Sequence, residues 1–295
     1  MRINRFLVIT LSQGIGVTGY GYGMERTYIV LSGTKISKID ILNTFFKDNG
    51  IDDMYASSTG SLFIINKKGL YVLPLDNNNI NLKNAKLKID FIKSGISLYT
   101  CIMEDKNMIL IGSDKGLFAF KNKQFMQCVV NLNDKKTICS YKIVKDQYGY
   151  YWVGDYNYGL YRLHLKETPG NIVEFDSIKE YKCPKPDSSF VTMYVGCVTL
   201  DHNGYLWMSS FYTGVYKLKI DKSGVTDYKL YAIKNGLSGN YVEQIEEDSN
   251  HNIWIITKRG ANCIKPGNNG KDTILNFNSK KGLGDEVLKI VPTIV

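Results

Sequence analysis

Two sets of residues in this chain have the types and spacing to do chemistry. The first is five short segments that each run into a glycine. They are Lys67 and Lys68 before Gly69; Asp114 and Lys115 before Gly116; Asp155, Tyr156, Asn157 and Tyr158 before Gly159; Phe211, Tyr212 and Thr213 before Gly214; and Lys258 and Arg259 before Gly260. Tyr and Phe faces stack on sugar rings, and Lys and Arg attract carboxylate or sulfate. The second set is His202 and His251, two of the three histidines. Imidazoles converging with acid or base partners could move protons in a bond-cleaving reaction. Other reactive patterns are missing. The sequence has no HExxH and no GxSxG, and its six cysteines contain no CxxC pair, which argues against zinc and thioredoxin-type chemistry. Its aspartates are not clustered as calcium requires. A formal GxGxxG, GIGVTG at residues 14–19, runs into YGYGMERTYIVL. That continuation supplies turns and β-formers where a dinucleotide site needs a helix N-terminus. No metal and no cofactor are expected.

The elements that position these residues repeat. Residues 146–163 read DQYGYYWVGDYNYGLYRL, residues 201–218 read DHNGYLWMSSFYTGVYKL, and residues 248–264 read DSNHNIWIITKRGANCI. In each, an Asp stands six residues before a Trp, and a Gly follows six or seven residues after it. Two weaker copies, EDKNMILIGSDKGLFAF at 104–120 and SSTGSLFIINKKGLYVL at 57–73, put Leu110 and Phe63 in the Trp position. These slot positions, 63, 110, 152, 207 and 254, lie 47, 42, 55 and 47 residues apart. A period of this size marks a propeller, solenoid or array. The aromatic and β-branched segments between Asp/Gly turns are strands. The slot residue then fills the core between neighbouring sheets, and the Asp six residues earlier bonds turn amides.

In the last complete unit, residues 241–247, 253–257, 261–265 and 274–278 read as four strands. The polar stretches 76–93 and 166–189 read as long connections between units. Residues 6–17 fit the second half of a repeat, with Val8 in the slot, and residues 280–290 resemble the opening of one. Residues 1–20 and 286–295 would then share one composite closing blade, which leaves no free sheet edge. A signal peptide over residues 1–23 is the competing reading, with Arg2 and Arg5 before a short apolar stretch but no small-x-small cleavage site. The expectation is one all-β domain over residues 1–295: a β-propeller of four-stranded antiparallel blades with six units recognised. A seven-bladed ring and a truncated array are the alternatives. In a propeller, the turn after the slot and the blade-to-blade connection emerge at the same end. That end would gather Lys67, Lys68, Asp155, Tyr156, Tyr158, Phe211, Tyr212, Lys258 and Arg259 as a ligand-binding rim.

Composition agrees with a folded globular chain, at 44% hydrophobic and 22% charged, and excludes disorder. No apolar run approaches the 18 residues of a membrane span. The net charge of +9 favours acidic partners. No motif of an established nucleic-acid-binding module is present, so nucleic acid is not an expected partner.

The repeats GLSGNYVEQIEEDSNHNIWIITKRGANCI, YKIVKDQYGYYWVGDYNYGLYRL and VGCVTLDHNGYLWMSSFYTGVYKL resemble the two-component-regulator propeller repeat. That repeat builds the extracytoplasmic sensor region of hybrid two-component histidine kinases of Bacteroidetes type. The resemblance implies a non-catalytic, periplasmic sensor propeller recognising an oligosaccharide, acidic in view of the charge. It also implies partnership with further sensor and kinase domains, and leaves a homodimer open. The chain itself carries no kinase motif and none of the family's β-sandwich module or membrane helix. Two other classes stay open: a propeller lyase of streptogramin-lyase type using His202 and His251, and a protein-interaction scaffold.

Overall fold

The computed structural model describes residues 6–17, 22–32, 35–38, 53–56, 61–66, 68–76, 79–80, 86–90, 99–106, 108–122, 124–131, 138–166, 168, 172–181, 194–210, 212–248, 250–267, 272–277 and 288–293. Strands β1 (Phe6–Val17), β2 (Tyr22–Ser32) and β3 (Lys35–Lys38) form one meander. In the next, β4 (Asp53–Ala56), β5 (Ser61–Asn66) and β6 (Gly69–Asp76) lie side by side, and both β7 (Asn79–Ile80) and β8 (Lys86–Asp90) pair with β6. Strands β9 (Tyr99–Asp105), β10 (Met108–Ser113), β11 (Gly116–Lys121) and β12 (Gln124–Gln127) follow the same plan. After β13 (Val129–Asn131) come β14 (Ser140–Lys145), β15 (Tyr151–Asp155), β16 (Gly159–Lys166) and β17 (Glu174–Tyr181). A further sheet holds β18 (Val198–Leu200), β19 (Leu206–Ser210), β20 (Gly214–Asp221) and β21 (Gly224–Tyr231). Another holds β22 (Val242–Glu247), β23 (Ile253–Thr257), β24 (Gly260–Lys265) and β25 (Thr273–Phe277). The last strand, β26 (Leu288–Thr293), pairs antiparallel with β1, from Phe6 opposite Thr293 to Leu11 opposite Leu288. The one helical turn among the described residues is a 3₁₀ turn at Ile233–Asn235.

The first strand of each sheet packs against the first strand of the next: β4 on β9, β9 on β14, β14 on β18, β18 on β22, β22 on β26, and β26 on β4. Short antiparallel sheets arrayed around common inner strands define a β-propeller. The last repeat follows the sequence reading to within a residue, with strands at Val242–Glu247, Ile253–Thr257, Gly260–Lys265 and Thr273–Phe277.

Packing between sheets follows from strand alternation, which sends successive side chains to opposite faces. Tyr151 and Val153 join the core shared with the preceding sheet, where Leu110 and Leu117 also lie. Trp152, between them in sequence, joins the core shared with the following sheet, beside Leu206, Met208 and Tyr216. Trp207 packs with Val242, Ile245 and Ile255 of the sheet after its own. Phe63 likewise packs with Ile102, Ile109 and Ile111. At Phe63, Leu110, Trp152 and Trp207 the slot residue therefore faces the next sheet. Burying a Trp side chain is worth about 4–6 kcal/mol of transfer free energy before the entropy of ordering is set against it.

Each Trp is held by the Asp six residues before it. Asp201 Oδ1 accepts the amides of Asn203 (3.0 Å) and Tyr205 (2.9 Å), and its Oδ2 accepts Trp207 Nε1–H at 2.8 Å. Asp146 and Asp248 repeat the arrangement, with indole bonds of 2.8 and 2.9 Å. The turn amides were anticipated from sequence; the indole bond was not. Each indole also lies against an aromatic ring of its own outer strand, Tyr181, Tyr231 or Phe277, at 5.3, 5.4 and 5.5 Å between centroids. Beside Trp152 the fully buried Arg162 lies 3.8 Å from the Tyr150 ring centre. Arg162 Nη1 and Nη2 donate to the carbonyls of Lys222 and Asp221 in the next sheet, each at 3.0 Å. The cation is thus a tie between sheets.

Two sequence readings are corrected. Stretches 76–93 and 166–189 are not wholly connections, because they contain β8 and the eight-residue outer strand β17. The sequence of β17, EFDSIKEY, is charged because a strand near the rim of its sheet leaves part of its surface in solvent. Nor is every sheet a purely antiparallel four-stranded one: β13 pairs in parallel with β17, Val129 opposite Glu174 to Asn131 opposite Asp176. It covers an edge that would otherwise present unpaired backbone groups.

Candidate functional site

At one end of the propeller, the second strand of each sheet turns back into the third. The residue three places after the slot is Asn66, Ser113, Asp155, Ser210 or Thr257, short and polar every time. In four of the five, its side chain accepts amides of its own turn. Asn66 Oδ1 takes Lys68 and Gly69; Ser113 takes Lys115; Asp155 takes Asn157 and Tyr158; Thr257 takes Arg259. The turn then closes on a glycine in left-handed backbone, with φ of 113° at Gly159 and 110° at Gly214. A Cβ on Gly159 would sit 2.9 Å from the Tyr181 carbonyl oxygen, so only glycine fits.

This turn chemistry removes Asp155 from the expected rim. Its side chain is fully buried, Oδ1 receives two amides at 2.6 Å, and Oδ2 receives the Cys139 amide at 2.5 Å. Burial raises its pKa, opposed by those three amides. Asp155 caps a turn and does not face a ligand. The five slot-plus-three residues carry the signal in the sequence, since each is short and polar.

What the turns do present is a cluster of tyrosines. Tyr156, Tyr194, Tyr212 and Tyr241 line one recess of about 110 Å³. Tyr156 comes from the β15–β16 turn, Tyr212 from the β19–β20 turn, and Tyr194 and Tyr241 from the segments entering β18 and β22. The Tyr156 ring stacks on Tyr141 at 5.2 Å and meets Tyr194 at 4.7 Å, and Tyr212 stands edge-on to Tyr241 at 6.5 Å. Lys258 Nζ lies 4.0 Å from the Tyr241 ring centre, within the range of a cation–π contact. Tyr212 is 73% exposed, the most open of the large apolar and aromatic side chains among the described residues.

The structure therefore brings together Tyr156, Tyr212 and Lys258 from the expected set, with Arg259 exposed in the same turn as Lys258. Tyr158 is half-buried and packs into the core shared with the preceding sheet, away from the recess. Lys68 is exposed, but its sheet packs against the sheets of β9 and β26, not those that carry the tyrosines. Lys67 and Phe211 lie outside the described residues, as does the side chain of Val8. Tyr141, Tyr194 and Tyr241 were missed. Tyr194 and Tyr241 each stand 13 residues before a Trp, at 207 and 254, which puts them at equivalent places in two units but does not by itself show that they meet.

At the opposite end, His202 and His251 do share a face. Their rings stack with centroids 3.7 Å apart, beside Glu247. The expectation of no metal-ligand grouping rested on spacing within single segments, and here the side chains come from two sheets.

These features define the class: an all-β propeller with an aromatic, cation-flanked recess at one end. Residues 236–259, within the last of the Trp-bearing repeats, match the family described as "Two component regulator propeller". Among solved structures, the chain resembles the extracellular domain of a hybrid two-component system from B. thetaiotaomicron, at 16% identity and a TM-score of 0.53 over 86% of this chain and 35% of that one. It resembles a streptogramin B lyase at 14% identity and a TM-score of 0.61, over 93% and 88% of the two chains. It also resembles a virginiamycin B lyase from Staphylococcus aureus, at 13% identity and a TM-score of 0.56 over 83% and 85%. No curated protein matches. The chain spans about a third of that B. thetaiotaomicron domain, and at these identities the likeness shows the fold alone. No helix of the described residues is long and apolar enough to cross a membrane.

Proposed function

We propose that this chain is the non-catalytic propeller of an extracytoplasmic sensor, and that it recognises an oligosaccharide at the tyrosine recess. The observation that carries the reading is the convergence of Tyr156, Tyr194, Tyr212 and Tyr241 from three consecutive sheets on one recess. Stacking faces with hydroxyl-bearing edges suit a sugar ring, which has an apolar face and a polar rim. Lys258, with Arg259 beside it, favours a sugar carrying carboxylate or sulfate. A recess of about 110 Å³ is smaller than a pocket for a drug-sized ligand. It suits one ring of a ligand whose remaining rings lie along the surface. The match of residues 236–259 to a regulator repeat and the likeness to an extracellular sensor domain support both the role and the extracytoplasmic location. Further sensor and kinase domains would supply the output, and a second copy of the chain is a partner to be looked for.

The domain in this reading is one ring over residues 1–295, closed at six sheets, with β26 completing the sheet of β1–β3. The cyclic packing of first strands, from β4 through β26 and back to β4, supports that count.

Calorimetric titration with hits from a glycan array tests the binding site. Tyr212→Ala removes an exposed ring that no core depends on, so the fold is kept. Binding of an acidic oligosaccharide should weaken at least about tenfold, in line with the loss of one aromatic stacking contact. Selective glycan binding that Tyr212→Ala, Tyr156→Ala and Arg259→Ala all leave unchanged would remove this site.

A further inference from the structure

His202 is the second residue of the turn that begins at Asp201, and His251 is the fourth residue of the turn that begins at Asp248. The two turns belong to adjacent sheets, and the two imidazoles stack at 3.7 Å with 28° between their planes. Glu247, the last residue of β22, joins them. Its Oε1 accepts from His202 Nδ1 and lies 3.3 Å from His251 Nδ1, while Oε2 accepts the His202 amide at 2.8 Å. One ligand atom from each of the three residues falls within 4.8 Å of the others.

A second observation sets His251 apart. The same turn occurs three times: the amides of Gly149, Gly204 and His251 each bond the carbonyl of the Asp three residues before. All three positions have left-handed backbone, with φ of 88°, 78° and 64°. Two of them are glycine, which adopts this backbone freely; a residue with a Cβ does so at a cost of about 1–2 kcal/mol. Turn geometry alone favours glycine at position 251. The histidine there brings a ring onto His202 instead.

We propose that His202, His251 and Glu247 form a binding site for a divalent transition ion of the zinc class. Two imidazole nitrogens and one carboxylate are a ligand set that zinc takes, and three protein ligands leave one position open to water. Asn203 Nδ2 lies 2.8 Å from His202 Nε2. With its amide turned over, Asn203 would accept the Nε2–H of a metal-bound ring and fix its orientation. The ion would tie two neighbouring sheets together. The site lies about 17 Å from the tyrosine end, the length of the five-residue strand β19 at about 3.3 Å per residue, so it is independent of glycan recognition.

The test is calorimetric titration of the whole chain with Zn²⁺ alone, paired with thermal unfolding with and without Zn²⁺ and then chelator. The expected result is one saturable site and an unfolding midpoint raised by Zn²⁺ and restored by chelator. His251→Gly installs the residue that the sister turns carry. It should unfold without metal at or above the wild-type midpoint, yet lose at least about tenfold in zinc affinity and with it the zinc-dependent shift. Glu247→Gln should weaken binding in the same direction. Bound Co²⁺ should show no thiolate charge-transfer band, which separates this site from the half-buried thiols of Cys139 and Cys197. The absence of saturable binding, equal binding by wild type and His251→Gly, or a thiolate band from the bound Co²⁺ would each overturn the proposal.

Discussion

The three Asp–Trp clips are an experiment built into one chain. In Asp201→Ala, the fully buried Trp207 indole N–H loses its acceptor and two turn amides lose theirs. Leaving a buried donor unsatisfied costs about 1–3 kcal/mol, and each amide bond contributes about 1 kcal/mol. The expected loss is about 3–5 kcal/mol. Asp248→Ala removes the same indole and turn-amide bonds, together with those from the Asn252 side-chain amide, but Asn252 and Trp254 are both only partly buried. Water can reach that indole, so the loss should be smaller by about 1–2 kcal/mol. Equilibrium urea unfolding followed by far-ultraviolet circular dichroism measures both, since the unfolding midpoint read from the backbone signal does not require the indole to be the reporter. A double-mutant cycle of Asp201→Ala with Trp207→Phe isolates the side-chain pair, with an expected coupling of about 1–2 kcal/mol. If Asp201→Ala is no more damaging than Asp248→Ala, or the coupling is below about 0.5 kcal/mol, the clip is not what holds the tryptophan.

Two further outcomes are expected. Gly214→Ala forces a Cβ into the Tyr231 carbonyl at a φ of 110°, whereas Gly149→Ala at a φ of 88° has open space around it. The second should cost about 1–2 kcal/mol and the first clearly more, read as the difference in urea midpoints. Acid should destabilise the chain through Asp105 and Asp272. Burial raises the pKa of both, but the Lys145 and Tyr151 bonds at Asp105, and the Lys229 and Tyr231 bonds at Asp272, outweigh it and hold them below the usual range. The stability they contribute is present above about pH 4, the unfolded value, and is lost as pH falls through the lowered folded values. Urea midpoints from pH 6 to 3 should fall, and Asp105→Asn should flatten that fall; an unchanged slope would refute the assignment.

The repeat was legible because its markers are local: a carboxylate six residues before an indole, and a glycine that a left-handed turn requires. The facing of Trp152 towards the following sheet follows from strand alternation once the strands are placed. The tyrosine recess was only half legible. Tyr156 and Tyr212 sit in turns that repeat in register, but Tyr194 and Tyr241 enter from connections of unequal length, so their meeting depends on how sheets splay around the axis. Arg162 could not be read at all. It stands in YGLYRL among aromatics, and its acceptors, the carbonyls of Asp221 and Lys222, lie about sixty residues on. The meeting of His202 with His251 follows from their equivalent turns in adjacent units, but Glu247 as a third ligand does not, because ligand spacing is a rule for one segment and these residues are brought together by the packing of two sheets.

In four successive units the slot side chain reaches forward, at Phe63, Leu110, Trp152 and Trp207. Each of these modules thus carries a plug for its successor, which gives the array a direction. Tandem copying of one whole module delivers a matching plug and socket together and can lengthen such an array, while excising part of one strands an indole in water on one side and leaves a hollow on the other.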